Sequence, residues 1–447
     1  MNYTETMAKY AANLKYEDIP KETIDLVKVL ILDYISCAYG GVQTESGRIA
    51  AEFAREFSEK GKCTVIGYGY KSAPYNAAFA NAILSHSIEL DDADVLAFIH
   101  TGPQTVSPAL AAAEWVNASG KDFLVGVTIG SEFVNRISEA TNPSLRDRGF
   151  HSTPTCGVFG AGAAAGRIMK LSEEKMVSVL GLSGAQASGL MEMYGISMAK
   201  RFNPGPAARN GVTAALFAER GFTGAETILE GERGFCKAFS DKFDLSRLTA
   251  NLGKDFRLSI ELKPYACARP IHNAIDCGLQ IRQKYSPDVR NIASLVMKRN
   301  PEWGTRYHYI KEPRTFHEAQ MSLPFSVALA LIKGKAFVDD YSDENLKNPE
   351  IMRLSKMMEI ENDPSLPRGV SCHLTVTMKD GKKMEVQVDY PKGSPQNPMN
   401  EAERLAKFEG LSRKLLNESQ RKKIVNMIQE LEKVKEITEL TSLLIKN

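Results

Sequence analysis

The sequence predicts a mainly α protein: a large all-helical part built from residues 1–255 and 396–447, with a smaller α+β part, 256–395, inserted between its two segments. Three observations carry this. Apolar residues recur every three or four positions through most of the first 250 residues. Alternating apolar and polar residues are confined to the stretch beyond residue 256. After the Pro/Gly/Asn-rich segment PKGSPQNPMN, the chain returns to charged amphipathic helices, which are expected to pack back on the first region.

Pro20–Gly41 shows the helical signature. Pro20 opens it, Glu22 sits in the first turn, and Gly40-Gly41 ends it. Between them Ile24, Val27, Ile31, Tyr34, Ile35 and Ala38 keep the helical period. Residues 73–90 and 107–118 are Ala-rich and helical, as are 154–170, 173–189 and 206–220. Their runs GVFGAGAAAG and GLSGAQASG let helix backbones approach closely. Beyond 256, helices are predicted at 270–284 and 317–333, with a strand at Ile292–Lys298. His373–Met378 and Lys383–Tyr390 flank Asp380-Gly381, a strong hairpin signal. In the last segment Ser419 is the expected helix cap.

Composition bounds the function. The 447 residues are 43% hydrophobic and 25% charged, which fits a soluble globular chain of two or three domains. A net charge of +2 argues against binding nucleic acid or an anionic membrane. An anionic ligand must then be held by a local group of basic residues. The N-terminus MNYTETMAKYAANLKYED lacks the pattern of a secretory signal, and no uncharged apolar run reaches about 20 residues. Seven scattered cysteines, never in a C-x-x-C pair, read as reduced, buried thiols of a cytoplasmic protein.

Several segments could carry chemistry. The cluster His86-Ser87-Ile88-Glu89-Leu90-Asp91-Asp92-Ala93-Asp94 places His86 and Glu89 three apart, on one face if helical. It reads as a polar wall, a divalent-metal site or a solvated helix end. His100 lies in a loop before a helix, where an imidazole can act as acid or base. His151 precedes a small-residue helix whose glycines do not reproduce G-x-G-x-x-G, so nucleotide binding is not expected. GISMAKRFNPGPAARNG interleaves Lys200, Arg201 and Arg209 with turn residues, which suits an anion site. LSIELKPYACARPIHNAIDCG adds Lys263, Tyr265, Arg269 and His272.

Together these segments resemble the MmgE/PrpD family, which includes 2-methylcitrate dehydratases, cis-aconitate decarboxylases and an iminodisuccinate epimerase. The resemblance spans nearly the whole chain. It rests on LILDYISCAYGG, HSIELDDAD, RGFHSTPTCGVFGAGAAAGRI, SMAKRFNPGPAARNGVTAALFAERGFTGAETILEGERGF, KPYACARPIH and HEAQMSLPFSVALAL. It implies a helical domain with an inserted α+β lid domain, a homodimer, and a site between the domains without metal or organic cofactor. His100, His151, Lys200 and Lys263 match the family's active-site positions, and Arg201, Tyr265, Arg269 and His272 belong to its motifs. The chain departs from the pattern where Glu89 replaces a common Asp, where D-D-T reads Asp91-Asp92-Ala93, and where H-P-S reads His100-Thr101-Gly102.

The resemblance implies a cofactor-independent lyase of dehydratase type acting on a small di- or tricarboxylate such as 2-methylcitrate. A proton beside a carboxylate is removed, with the lysines and arginines stabilising the charge that develops. The same carbanion could serve epimerisation or decarboxylation. A non-catalytic carboxylate binder and a metal hydrolase built on Asp91, Asp92 and Asp94 are the alternatives from other classes. Glu89, Arg201, Tyr265, Arg269 and His272 are the expected substrate contacts.

Overall fold

In the computed structural model, which describes residues 2–57, 61–301, 306–367 and 371–445, the chain is mainly α, with a two-stranded and a four-stranded sheet. The small-residue runs explain the helical part. Helix Ser152–Ile168 is buried along almost its whole length. It packs against Gly102–Val116, Gly120–Thr141 and Pro204–Glu219. A Cβ added at Gly130 would sit 3.0 Å from the Gly160 carbonyl, so bare glycines set the spacing of two crossing helices. The glycines that superficially resemble a dinucleotide loop are therefore packing residues.

The apolar core falls into two clusters. One gathers side chains from Met7 to Leu262 and from Met399 to Leu444. The other centres on residues 266–388, joined by Cys37, Ile88, Leu90 and Leu411. In the second, strand order is Met358–Asn362, Ile292–Arg299, Cys372–Met378, Lys383–Val388. The first pair is parallel, with Leu295 opposite Met358, and the others are antiparallel. Cys372, Leu374 and Val376 alternate inward, as period-2 patterning requires. Helices His272–Tyr285 and Leu323–Lys333 complete this cluster. Gly381, with φ 86°, turns the hairpin.

The last helices cross back. Glu401–Ser412 packs on Lys21–Val42, and Lys407 reaches Asp33 at 2.5 Å and the Leu90 carbonyl at 2.7 Å. This anchors the loop that carries the acidic cluster.

Some boundaries differ from expectation. The helix predicted to 189 ends at Gly184. The segment 317–333 breaks into Phe316–Ala319 and Leu323–Lys333, because the Ser322 hydroxyl accepts from the Phe325 N–H and starts a new helix. Asn417, not Ser419, caps the final long helix, accepting from the Gln420 N–H at 2.9 Å. The edge strand Met358–Asn362 escaped notice because only Met358 of its five residues is buried. All seven cysteines are free and buried. Among the described residues no helix is long and apolar enough to cross a membrane.

Candidate active site

The site is built on the loop between helices Pro74–His86 and Gly102–Val116. The first helix stops at His86, so His86 and Glu89 do not share a helix face. Glu89 lies beyond it with φ 55°, a left-handed backbone rare outside glycine. The loop is pinned by antiparallel bonds between Ala93 and Glu261, at 2.8 and 2.9 Å. The Asp92 carboxylate accepts from the Thr101 and Gly102 N–H groups at 2.8 Å each, capping the next helix. Asp94 accepts from Leu96 and Ala97 N–H at 2.9 Å. Both carboxylates thus serve backbone turns, and they do not converge with Asp91 on a common point as a metal hydrolase would require.

Glu89 gathers the basic residues. Lys200, on the short helix Ala199–Phe202, donates to both its oxygens at 2.8 Å. Arg201 donates to it as well, and Lys263 lies 3.3 Å away while also donating to the Glu89 carbonyl at 3.2 Å. Burial opposes the charge on Glu89, but Lys200, Lys263 and Arg201 outweigh it and hold the carboxyl well below the usual range. Burial pulls the Lys200 ammonium down to about 8, even with Glu89 beside it. Gln320 ties the group together, donating to the Ile88 and Ala266 carbonyls at 2.7 and 2.8 Å and accepting from Arg201 at 2.8 Å.

Two imidazoles complete the site, and their partners define their tautomers. His100 Nδ1 lies 2.7 Å from the Asp92 carbonyl, an acceptor only, so Nδ1 carries the proton. Burial lowers its pKa, which leaves His100 neutral with a lone pair on Nε2. His151, the residue before helix Ser152–Ile168, meets the Asn203 amide nitrogen at 3.0 Å through Nδ1. That nitrogen is a donor only, so His151 Nδ1 accepts and Nε2 carries the proton. Burial, then Lys200, holds the His151 pKa well below normal. The pair therefore presents one basic and one N–H-bearing nitrogen.

Glu89, His100, His151, Lys200 and Arg269 all line one cavity of about 360 Å³. Lys263 and Arg201 reach Glu89 without lining the cavity. Arg269 is held by Glu261, with Nε 2.7 Å from the carboxylate. Two expected contacts turn elsewhere. The Tyr265 hydroxyl donates to Asp276, and His272 Nε2 donates to the Cys267 carbonyl at 3.3 Å. Arg209 leaves the basic group as well, lying 5.4 Å from the Phe79 ring centroid. Sequence reasoning missed Arg146, Tyr194 and His308, which also line the cavity. Arg146 stands five residues before His151 and Tyr194 directly before the segment of Lys200, and only His308 comes from a segment without a motif of its own. Asn203 and Gln320 sat inside quoted motifs, yet nothing in spacing pointed to their hydrogen bonds.

Among the described residues, His86, Asp91 and His100 bring ligand-type atoms within 4.8 Å of one another. Both Nδ1 atoms face the same Asp91 oxygen, at 2.7 and 3.2 Å, and the Lys200 ammonium is 3.2 Å from His86 Nε2. A fixed positive charge at that distance disfavours a divalent cation.

Comparison with known proteins fits this geometry. The model of the MmgE/PrpD N-terminal domain matches residues 5–248, and that of the MmgE/PrpD C-terminal domain matches 265–433. A cis-aconitate decarboxylase of Aspergillus terreus is 27% identical over 99% of this chain and 95% of its own length. The human protein of the same name is 25% identical, over 99% and 94%. The mouse one is 23% identical, over 99% and 93%.

Proposed function

We propose that this chain, which belongs to the MmgE/PrpD family, is a carboxy-lyase that releases CO₂ from a small unsaturated tricarboxylate of the cis-aconitate kind, without metal or organic cofactor. The observation that carries the reading is the cavity itself. It sets a neutral base nitrogen, an imidazole N–H and a buried lysine of lowered pKa around one space, backed by further cations. The relatives, named as decarboxylases along their whole length, favour loss of CO₂ over loss of water.

In this mechanism the substrate's C–C bond to one carboxylate breaks and CO₂ leaves. The electron pair passes into the remaining unsaturated dicarboxylate. Lys200 and Lys263 stabilise the developing charge more than they stabilise the ground state. The carbanion then takes a proton from the Lys200 ammonium or the His151 N–H. His100 is the base through which the spent donor regains a proton from solvent, and Arg269 orients a remaining carboxylate while Arg201 holds Glu89.

Dehydration of a citrate-like substrate is the second reading, favoured by the opposite tautomers of His100 and His151. There His100 would take the proton and His151 would protonate the departing hydroxyl. Comparing kcat/KM for cis-aconitate, 2-methylcitrate and citrate tests the choice. cis-Aconitate should be preferred, and a preference for 2-methylcitrate would reverse the choice. Calorimetric binding of all three with turnover of none would support the non-catalytic binder.

On the same reading, residues 256–395 form a lid domain inserted into a helical domain of 1–255 and 396–447. The division of the apolar core supports this. The enzyme acts as a cytoplasmic homodimer. An aromatic patch supports the dimer: Phe53, Phe57 and Phe202 are 40%, 59% and 51% exposed, and all join through ring contacts that include Phe79.

A further inference from the structure

The proposed mechanism makes no use of His86. It is the last residue of helix Pro74–His86, fully buried and absent from the cavity lining. Yet it stands between the two groups the mechanism relies on. Lys200 Nζ is 3.2 Å from His86 Nε2. His86 Nδ1 is 2.7 Å from Asp91 Oδ2, and that same oxygen is 3.2 Å from His100 Nδ1. The two imidazole rings meet edge to face, with centroids 4.7 Å apart.

We infer that His86 is a positioning residue that links the proton on Lys200 to the free nitrogen of His100 through Asp91. The inference rests on the roles proposed above for Lys200 and His100.

Donor and acceptor chemistry admits one arrangement. Asp91 is ionised: burial opposes its charge, but His86 and His100 outweigh burial. An ionised carboxylate only accepts, so His86 must donate to it from Nδ1. Burial keeps His86 neutral, which leaves Nε2 with a lone pair, and the Lys200 ammonium donates to it. Both nitrogens of His86 are thus committed. The Asp91 oxygen also fixes the tautomer that leaves His100 Nε2 unprotonated. The titratable groups facing His86 are Asp91, Glu89 and His100 from the loop, Lys200 from its short helix, and His151 from the start of Ser152–Ile168.

Two variants separate the two contacts. His86→Asn keeps a donor near Nδ1 but does not reach Lys200. Losing an acceptor that favours the ammonium should move the alkaline limb of kcat to lower pH and leave the acid limb in place. His86→Gln keeps a group near Nε2 but releases Asp91. A freed Asp91 attracts the charged form of His100 more strongly, so the acid limb should move to higher pH while the alkaline limb holds. Each should lower kcat about tenfold with KM changed less than about twofold. Wild-type limbs in both folded variants overturn the inference.

Long-range ¹⁵N NMR of histidine-labelled wild-type protein needs neither a variant nor a substrate. It should show His86 and His100 neutral and protonated on Nδ1. An Nε2-protonated His86 contradicts the link even if a variant fails to fold. A wild-type protein that turns over no tricarboxylate sinks the functional reading instead, and the NMR result still decides the role of His86.

Discussion

At the scale of single residues, the site is a problem of charge kept out of water. Glu89 is the only carboxylate that Lys200, Arg201 and Lys263 share among the described residues, and all four are buried. Removing one partner of such a group strands the others without compensation. Glu89→Gln should therefore cost about 3 kcal/mol of stability, read by urea titration, and should push the Lys200 pKa below its value of about 8. In the wild type that value fixes the sign of the pH dependence. Lys200 acts as an ammonium, so kcat should fall as pH rises through about 8. His100 acts neutral with a lowered pKa, so activity should persist on the acid side until below about 6.5. A profile that rises through pH 8 would show that Lys200 works as a free amine. Lys200→Ala and His151→Ala should each lower kcat about 10²-fold. The residue types of this site were legible in the sequence, as histidines and lysines in quoted motifs. Their partners were not. Tyr265 and His272 stand within a few residues of Lys263 and Arg269, and only the three-dimensional course of the chain turns them toward Asp276 and Cys267.

At the scale of elements, caps and close approaches decide where helices begin and how near they lie. Asn417 accepts the Gln420 N–H, whereas sequence pattern pointed to Ser419. Asn417→Ala should lower stability by about 1 kcal/mol, and Ser419→Ala should leave it nearly unchanged. The two residues are chemically alike as caps, and the choice between them depends on where the preceding backbone leaves the extended region. Gly41 faces the Leu84 backbone so closely that an added Cβ would collide with it. Gly41→Ala should cost about 1–3 kcal/mol by forcing apart the helices that carry Asp33 and His86. A calorimetric Tm equal to wild type would refute this account of how the two helices meet. Long periodic helices and the Asp380-Gly381 hairpin were readable from pattern alone. Met358–Asn362 was not, because an edge strand with one buried residue leaves no alternation to read.

At the scale of the whole molecule, two apolar clusters meet where the loop 87–101 and Lys407 join them. The change of pattern near residue 256 was visible in sequence, but the cavity was not, since its walls come from segments as distant as Glu89 and His308. The exposed aromatic patch gives the dimer proposal its test. Light scattering should report twice the chain's 49.3 kDa, and Phe202→Glu should shift it toward monomer. Whether the chain releases CO₂ is decided by ¹³C NMR of EDTA-treated protein with carboxyl-labelled cis-aconitate in D₂O. Labelled CO₂ and bicarbonate should appear, with a dicarboxylate product carrying one solvent deuterium. Unchanged tricarboxylate, or its hydration without carbon loss, would contradict decarboxylation.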